Sequence, residues 1–118
     1  MKAVILGAMH MFEEAAKRVA DKLSGQGIYV FPLAVGDYDD EAGLLEAHRE
    51  RIKAIEKAGM VYVFSSDGYI SKITALEIGY AIKSGKRIFA SRKLEDYVFK
   101  QLIKIATPEQ IIESVQQA

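Results

Sequence analysis

Short apolar runs alternate with longer stretches in which apolar residues recur every three or four positions. Lys2 to Leu6 reads as a first strand, left through the turn Gly7-Ala8-Met9-His10. From about Met11 to Ser24, the residues Phe12, Ala15, Ala16, Val19, Ala20 and Leu23 fall at helical spacing, with charged residues between them. Gly25-Gln26-Gly27 stops that helix. Ile28 to Phe31 is a second strand, closed by Pro32. A loop from Leu33 to Gly43 follows, and a second helix is expected over Leu44–Lys57, with Leu45, His48, Ile52 and Ile55 on one face.

The densest pattern lies between Met60 and Ala90. Met60 to Phe64 is a strand of β-formers, broken by Ser65-Ser66-Asp67-Gly68. Ile73 to Ile82 is a helix apolar almost all the way round, and Lys86 to Ala90 is the next strand. A helix apolar on every face is expected to be buried. It carries one charge, Glu77. A buried carboxylate is costly unless paired or hydrogen-bonded, which makes Glu77 a candidate functional group. The plain alternative is a carboxylate in a local network or paired with a lysine.

In the tail, Lys93 to Phe99 reads as a short helix or turn and Leu102 to Ala106 as a fifth strand. Thr107-Pro108-Glu109 starts a last helix, with Thr as N-cap and Pro at the first helical position. Its inward residues are expected to be Ile111, Ile112 and Val115.

Strands alternating with helices predict an α/β fold: a three-layer α/β/α domain over residues 1–118, with a flavodoxin-like, Rossmann-like, five-stranded parallel sheet in the order 2-1-3-4-5. Ligands in this class bind outside the carboxyl ends of the strands, where the order switches. The first and third strands flank that point. Their following turns, Gly7 to Met11 and Ser65 to Ser71, should therefore wall a cleft, with the Glu77 helix starting at the same edge.

Composition narrows the function. The 118 residues carry no net charge, which gives no support for a nucleic-acid polymer or an anionic membrane as partner. The chain has no cysteine, which rules out disulfides and thiolate metal sites. No apolar run approaches the roughly 20 residues of a membrane helix. The single Lys before the first strand is too little for a signal peptide, and a cytoplasmic setting is expected.

The segment Asp67-Gly68-Tyr69-Ile70, then Thr74 to Ala81 with Glu77-Ile78-Gly79-Tyr80-Ala81, then Gly85-Lys86, resembles the nucleoside 2-deoxyribosyltransferase-like superfamily. That group includes 2'-deoxynucleoside 5'-phosphate N-hydrolase-like proteins, and the resemblance spans Ala8 to Phe89. It implies that Glu77 is a nucleophile attacking the anomeric carbon of a nucleoside or nucleotide, with cleavage or deoxyribosyl transfer following. It also implies self-association into a dimer or larger assembly, and neither cofactor nor metal. Many members carry an aspartate in the helix before the third strand, followed by an Ala-Asp pair. Here that position falls on or next to Arg51, and the pair has become Ala58-Gly59. Asp67 or Glu50 could then supply the second acid. The departure also supports an alternative, a non-catalytic nucleotide- or nucleotide-sugar-binding module on the same fold.

Further candidates are weaker. Asp67 could hold a sugar hydroxyl or protonate the base, or be an ordinary turn aspartate. His48 and Arg51 could face the cleft and grip a phosphate. Alternatively, His48 sits at the core boundary and Arg51 on the surface. The turn of Gly7, Ala8, Met9 and His10 presents backbone N–H groups that suit a phosphate. Ser65, Ser66, Gly68, Tyr69 and Ser71 could meet a ligand, although Ser71 suits an N-cap equally. No Walker run or G-x-G-x-x-G is present. The acidic group Asp37, Asp39, Asp40 and Glu41 could bind Mg²⁺ but fits a solvated loop better. A receiver-like module ranks last, because Gly7-Ala8 stands where that class needs an acidic pair.

Overall fold

The computed structural model describes residues 1–7, 9–35, 39–65 and 67–117, with the backbone alone for 9–11 and 117. Among the sequence candidates, Ala8, Ser66, Asp37 and Tyr38 lie outside the described residues, and nothing is said of the Met9 and His10 side chains. The elements run β1 (Lys2–Gly7), α1 (Met9–Ser24), β2 (Tyr29–Val30), α2 (Glu41–Lys57), β3 (Met60–Phe64), α3 (Lys72–Lys83), β4 (Arg87–Ala90), α4 (Tyr97–Leu102), β5 (Lys104–Ile105) and α5 (Pro108–Gln117).

All strand pairs are parallel and the order is β2-β1-β3-β4-β5, as the alternation of patterns predicts. The period-2 geometry of the strands splits the core in two. Val4, Leu6, Val61 and Val63 point to one face and pack with Ile55 of α2 and Ile78 and Ala81 of α3. Ala3, Ile5, Met60 and Tyr62 point to the other and pack with Ala16 and Leu23 of α1 and Ile111 of α5. The central strands β1 and β3 are covered on both faces, which is why they read as unbroken apolar runs.

Element ends differ from expectation where polar residues form the first turn. Helix α2 begins at Glu41, three residues before the apolar periodicity does, with Asp40 at the N-cap position. Strand β2 is reduced to Tyr29–Val30 and β5 to Lys104–Ile105, each paired along only one side as an edge strand. Helix α1 is interrupted at Phe12, whose backbone leaves helical geometry and whose ring meets Phe64 at 6.2 Å between centroids. The short tail helix forms as α4, where Asp96 accepts from the amides of Val98 and Phe99. At α5, Thr107 and Gln110 form a reciprocal capping box, with bonds of 3.1 and 2.9 Å.

One expectation is overturned. Helix α3 is not buried on every side: Thr74, Glu77, Ile78 and Ala81 are, but Leu76 is 69% exposed and Ile73 is also exposed. The helix packs on the sheet and along α2, and its third side is covered by no described element.

Candidate functional site

Helix α3 starts at Ser71, whose side-chain oxygen accepts from the Thr74 amide at 3.1 Å. The Ser71 hydroxyl in turn donates to Thr74 Oγ1 at 3.0 Å. Six residues on, Glu77 points toward α2. There His48 and Arg51, three apart, share a helix face and meet it. Arg51 Nε donates to both carboxylate oxygens, at 2.9 and 2.7 Å, and His48 Nδ1 lies 2.7 Å from Oε2. The guanidinium also donates through NH1 to the carbonyl of Ala34, in the segment after β2. The side chains of Glu77, Arg51 and His48 are 1%, 12% and 29% exposed.

This arrangement explains how an otherwise apolar helix tolerates a carboxylate. The charge is matched by a guanidinium and three hydrogen-bonding contacts, the condition under which a buried acid is sustained. Among the described residues, no buried side-chain nitrogen or oxygen lacks a partner. Arg51 is not on the surface, whereas His48 is a half-buried histidine at the core boundary whose partner is Glu77. Two hollows flank this part of α2. One, of about 320 Å³, is lined by Leu44, Leu45, His48, Ile73 and Leu76, with Glu41 at its rim. The other, of about 300 Å³, is lined by residues that include Phe31, Pro32, Ala34, Arg51 and Lys57.

The loop between β3 and α3 forms a second group. The Ser65 amide donates to Ser91 Oγ at 3.0 Å, and that hydroxyl donates back to the Ser65 carbonyl at 2.9 Å, tying the ends of β3 and β4 together. Ser65 Oγ donates to the Tyr69 carbonyl and accepts from the Gly68 amide, at 2.9 and 2.8 Å. Asp67 Oδ1 accepts from the Tyr69 amide at 3.0 Å, the turn role its sequence position allowed. Gly68 has φ +95°, and a Cβ there would sit 2.8 Å from the Lys93 carbonyl oxygen. The loop is thus shaped by its own bonds, leaving the Asp67 and Tyr69 side chains exposed.

Gly7 closes β1 with φ +134°, and a Cβ there would meet the Phe64 carbonyl oxygen at 2.0 Å. Backbone packing alone therefore demands glycine at this turn, whatever ligand it faces. The structure brings Glu77, His48 and Arg51 together and gathers Ser65, Asp67, Gly68, Tyr69 and Ser71 in the adjoining loop. The sequence reading missed that Arg51 partners Glu77. The available signal was the i, i+3 spacing of His48 and Arg51 on a helix expected to neighbour α3.

Solved structures share this fold. A CMP N-glycosidase from Clostridium botulinum superposes with a TM-score of 0.63 at 13% identity, covering 99% of this chain and 98% of that one. A 2-deoxyribosyltransferase from Bacillus psychrosaccharolyticus gives 0.68 at 14% identity, covering 95% and 90%. A conserved protein from Enterococcus faecalis V583 gives 0.66 at 13% identity, covering 99% and 98%. No protein-family model and no curated protein matches the sequence. The chain therefore has the same fold as these three proteins.

Proposed function

We propose that this protein binds a nucleoside or nucleotide at the carboxyl edge of β1 and β3 and cleaves or exchanges its N-glycosidic bond, with Glu77 as the attacking carboxylate. The observation that carries the reading is the single acid of an otherwise apolar helix, oriented by Arg51 and His48. It stands in a fold shared with an N-glycosidase and a deoxyribosyltransferase. In the proposed step a Glu77 oxygen forms a bond to the anomeric carbon as the C–N bond breaks, and the base leaves with the electron pair and takes a proton. Water or a second base then displaces the carboxylate from the sugar. Arg51 holds both oxygens in the resting state, so the attacking oxygen must first leave its share of the guanidinium. Asp67, at the loop surface, is the proposed group for a sugar hydroxyl or for the proton to the base.

The test is base release or exchange from nucleosides and nucleotides, with and without a 5'-phosphate, by the parent and by Glu77→Gln. Release by the parent alone supports the reading, and equal release by both, or by neither, ends it. A second reading is a binding module without turnover. It is favoured by the 1% exposure of Glu77 and by the occupation of both its oxygens. A ligand that raises the melting temperature of the parent without being consumed would select it.

Self-association belongs to the same proposal. Leu45, Ile73 and Leu76 expose an apolar strip along α2 and α3, and a chain of zero net charge carries no overall repulsion between copies. We assign that strip to a second copy of this chain, which would bury it in an isologous contact.

A further inference from the structure

A hollow lies between α4 and the β4–β5 edge, away from the Glu77 cluster. Its volume is about 520 Å³, within the range of small-molecule sites. The floor is apolar and buried, formed by Ala90, Leu94 and Ile103. Tyr97, at 73% exposure, forms part of the wall, and Lys93 and Lys100 bring two positive charges to the lining. Among the described residues the lining contains no carboxylate; Glu95 and Asp96 stand in the adjoining groove.

The chain has 16 basic and 16 acidic residues, and two other grooves mix them. Lys72 shares one with Glu95 and Asp96, and Arg51, Lys53 and Lys57 share another with Glu50. Like charges around a concave, low-dielectric surface focus the field into it and raise the local concentration of anions. An inorganic anion alone would leave the apolar floor and the Tyr97 ring unused. A planar group bearing a phosphate uses both, the ring against Tyr97 and the floor and the phosphate between the two lysines. Helix α4 itself buries none of its residues, so a ligand here would cover a tyrosine that the fold leaves bare.

We propose that this hollow is a second ligand site, for a small molecule that combines a planar ring with a phosphate, the chemistry of a nucleoside monophosphate. It shares no lining residue with the Glu77 cluster and stands whether or not that cluster turns over a substrate.

The test is a titration of the full ¹⁵N-labelled chain, followed by amide shifts, with adenosine 5'-monophosphate, adenosine and inorganic phosphate as separate probes. Saturable shifts across residues 92–105 with the monophosphate are expected, and about tenfold weaker binding of each fragment probe. A Lys93→Gln/Lys100→Gln variant should keep a dispersed spectrum and lose about tenfold in affinity at these residues. Glu77→Gln should leave the shifts at these residues unchanged, which separates this proposal from the catalytic one. Shifts confined to residues outside the hollow, no saturation at millimolar probe, or a double variant that binds as the parent does would each overturn it. Shifts equal for all three probes would overturn it as well.

Discussion

Replacing Arg51 by methionine keeps most of the side-chain stem and removes the guanidinium. Glu77 then loses its cationic partner, and the Ala34 carbonyl loses a donor. Both partners are largely buried, at 12% and 1% exposure, so solvent screening discounts the interaction little. Stranding one member of a buried pair costs about 3–5 kcal/mol. His48 stays 2.7 Å from Oε2 and keeps part of the compensation, which puts the expected loss near the lower end, about 3 kcal/mol. Glu77→Gln should cost a similar amount, about 3 kcal/mol, since it strands the Arg51 guanidinium while its one amide oxygen still accepts from Nε. The double variant should fall short of the sum by about 1–3 kcal/mol, because with the charge gone the missing guanidinium no longer strands it. Urea unfolding followed by circular dichroism measures all four proteins, with the midpoint read at constant slope. An Arg51→Met loss below about 1 kcal/mol, or strictly additive variants, would refute the account of how α3 tolerates its acid.

Other expectations follow from single groups. Tyr62 is buried and its hydroxyl donates to the Ala106 carbonyl, with burial first and the charge of Glu109 second pushing its pKa up to about 12. Its contribution to stability is therefore intact below pH 10 and is lost between pH 10 and 12, as the unfolded chain ionises first; Tyr62→Phe should flatten that loss in a pH series of unfolding curves. Gly7→Ala places a methyl 2.0 Å from the Phe64 oxygen at a φ disfavoured for alanine, and should cost at least about 3 kcal/mol or prevent folding, read by soluble yield and melting. Leu76→Glu puts a charge in the apolar strip and should shift light-scattering mass toward the monomer without lowering stability of the single chain by more than about 0.5 kcal/mol; a parent that is already monomeric at working concentration would remove the self-association proposal.

The fold was legible because its signals are local and redundant. Strands β1 and β3 are apolar runs ended by turns, and the runs recur with a helix-length spacing that a sheet of crossovers requires. Where the local signal weakens, so does the reading. The first turn of α2, Glu41-Ala42-Gly43, has no large apolar residue to mark its period, so the helix begins before its pattern does. The edge strands keep only the residues that find a neighbour, which sequence does not record.

The candidate site was legible in one member and not in its partners. Glu77 stands out because a charge in apolar company has few structural excuses. Arg51 looked ordinary because α2 carries Glu46, Arg49, Glu50, Lys53, Glu56 and Lys57 as well, and any of them fits a solvated face. What singles out Arg51 is reach: α2 and α3 lie side by side on one face of the sheet, and the residues facing the gap are those spaced three apart at 48 and 51. The last partner, the Ala34 carbonyl, belongs to the backbone and could be carried by any residue type. The same packing explains the error over α3. Its sequence asks for burial on three sides, the described residues supply two, and the exposed third side is the physical reason to look for a second copy.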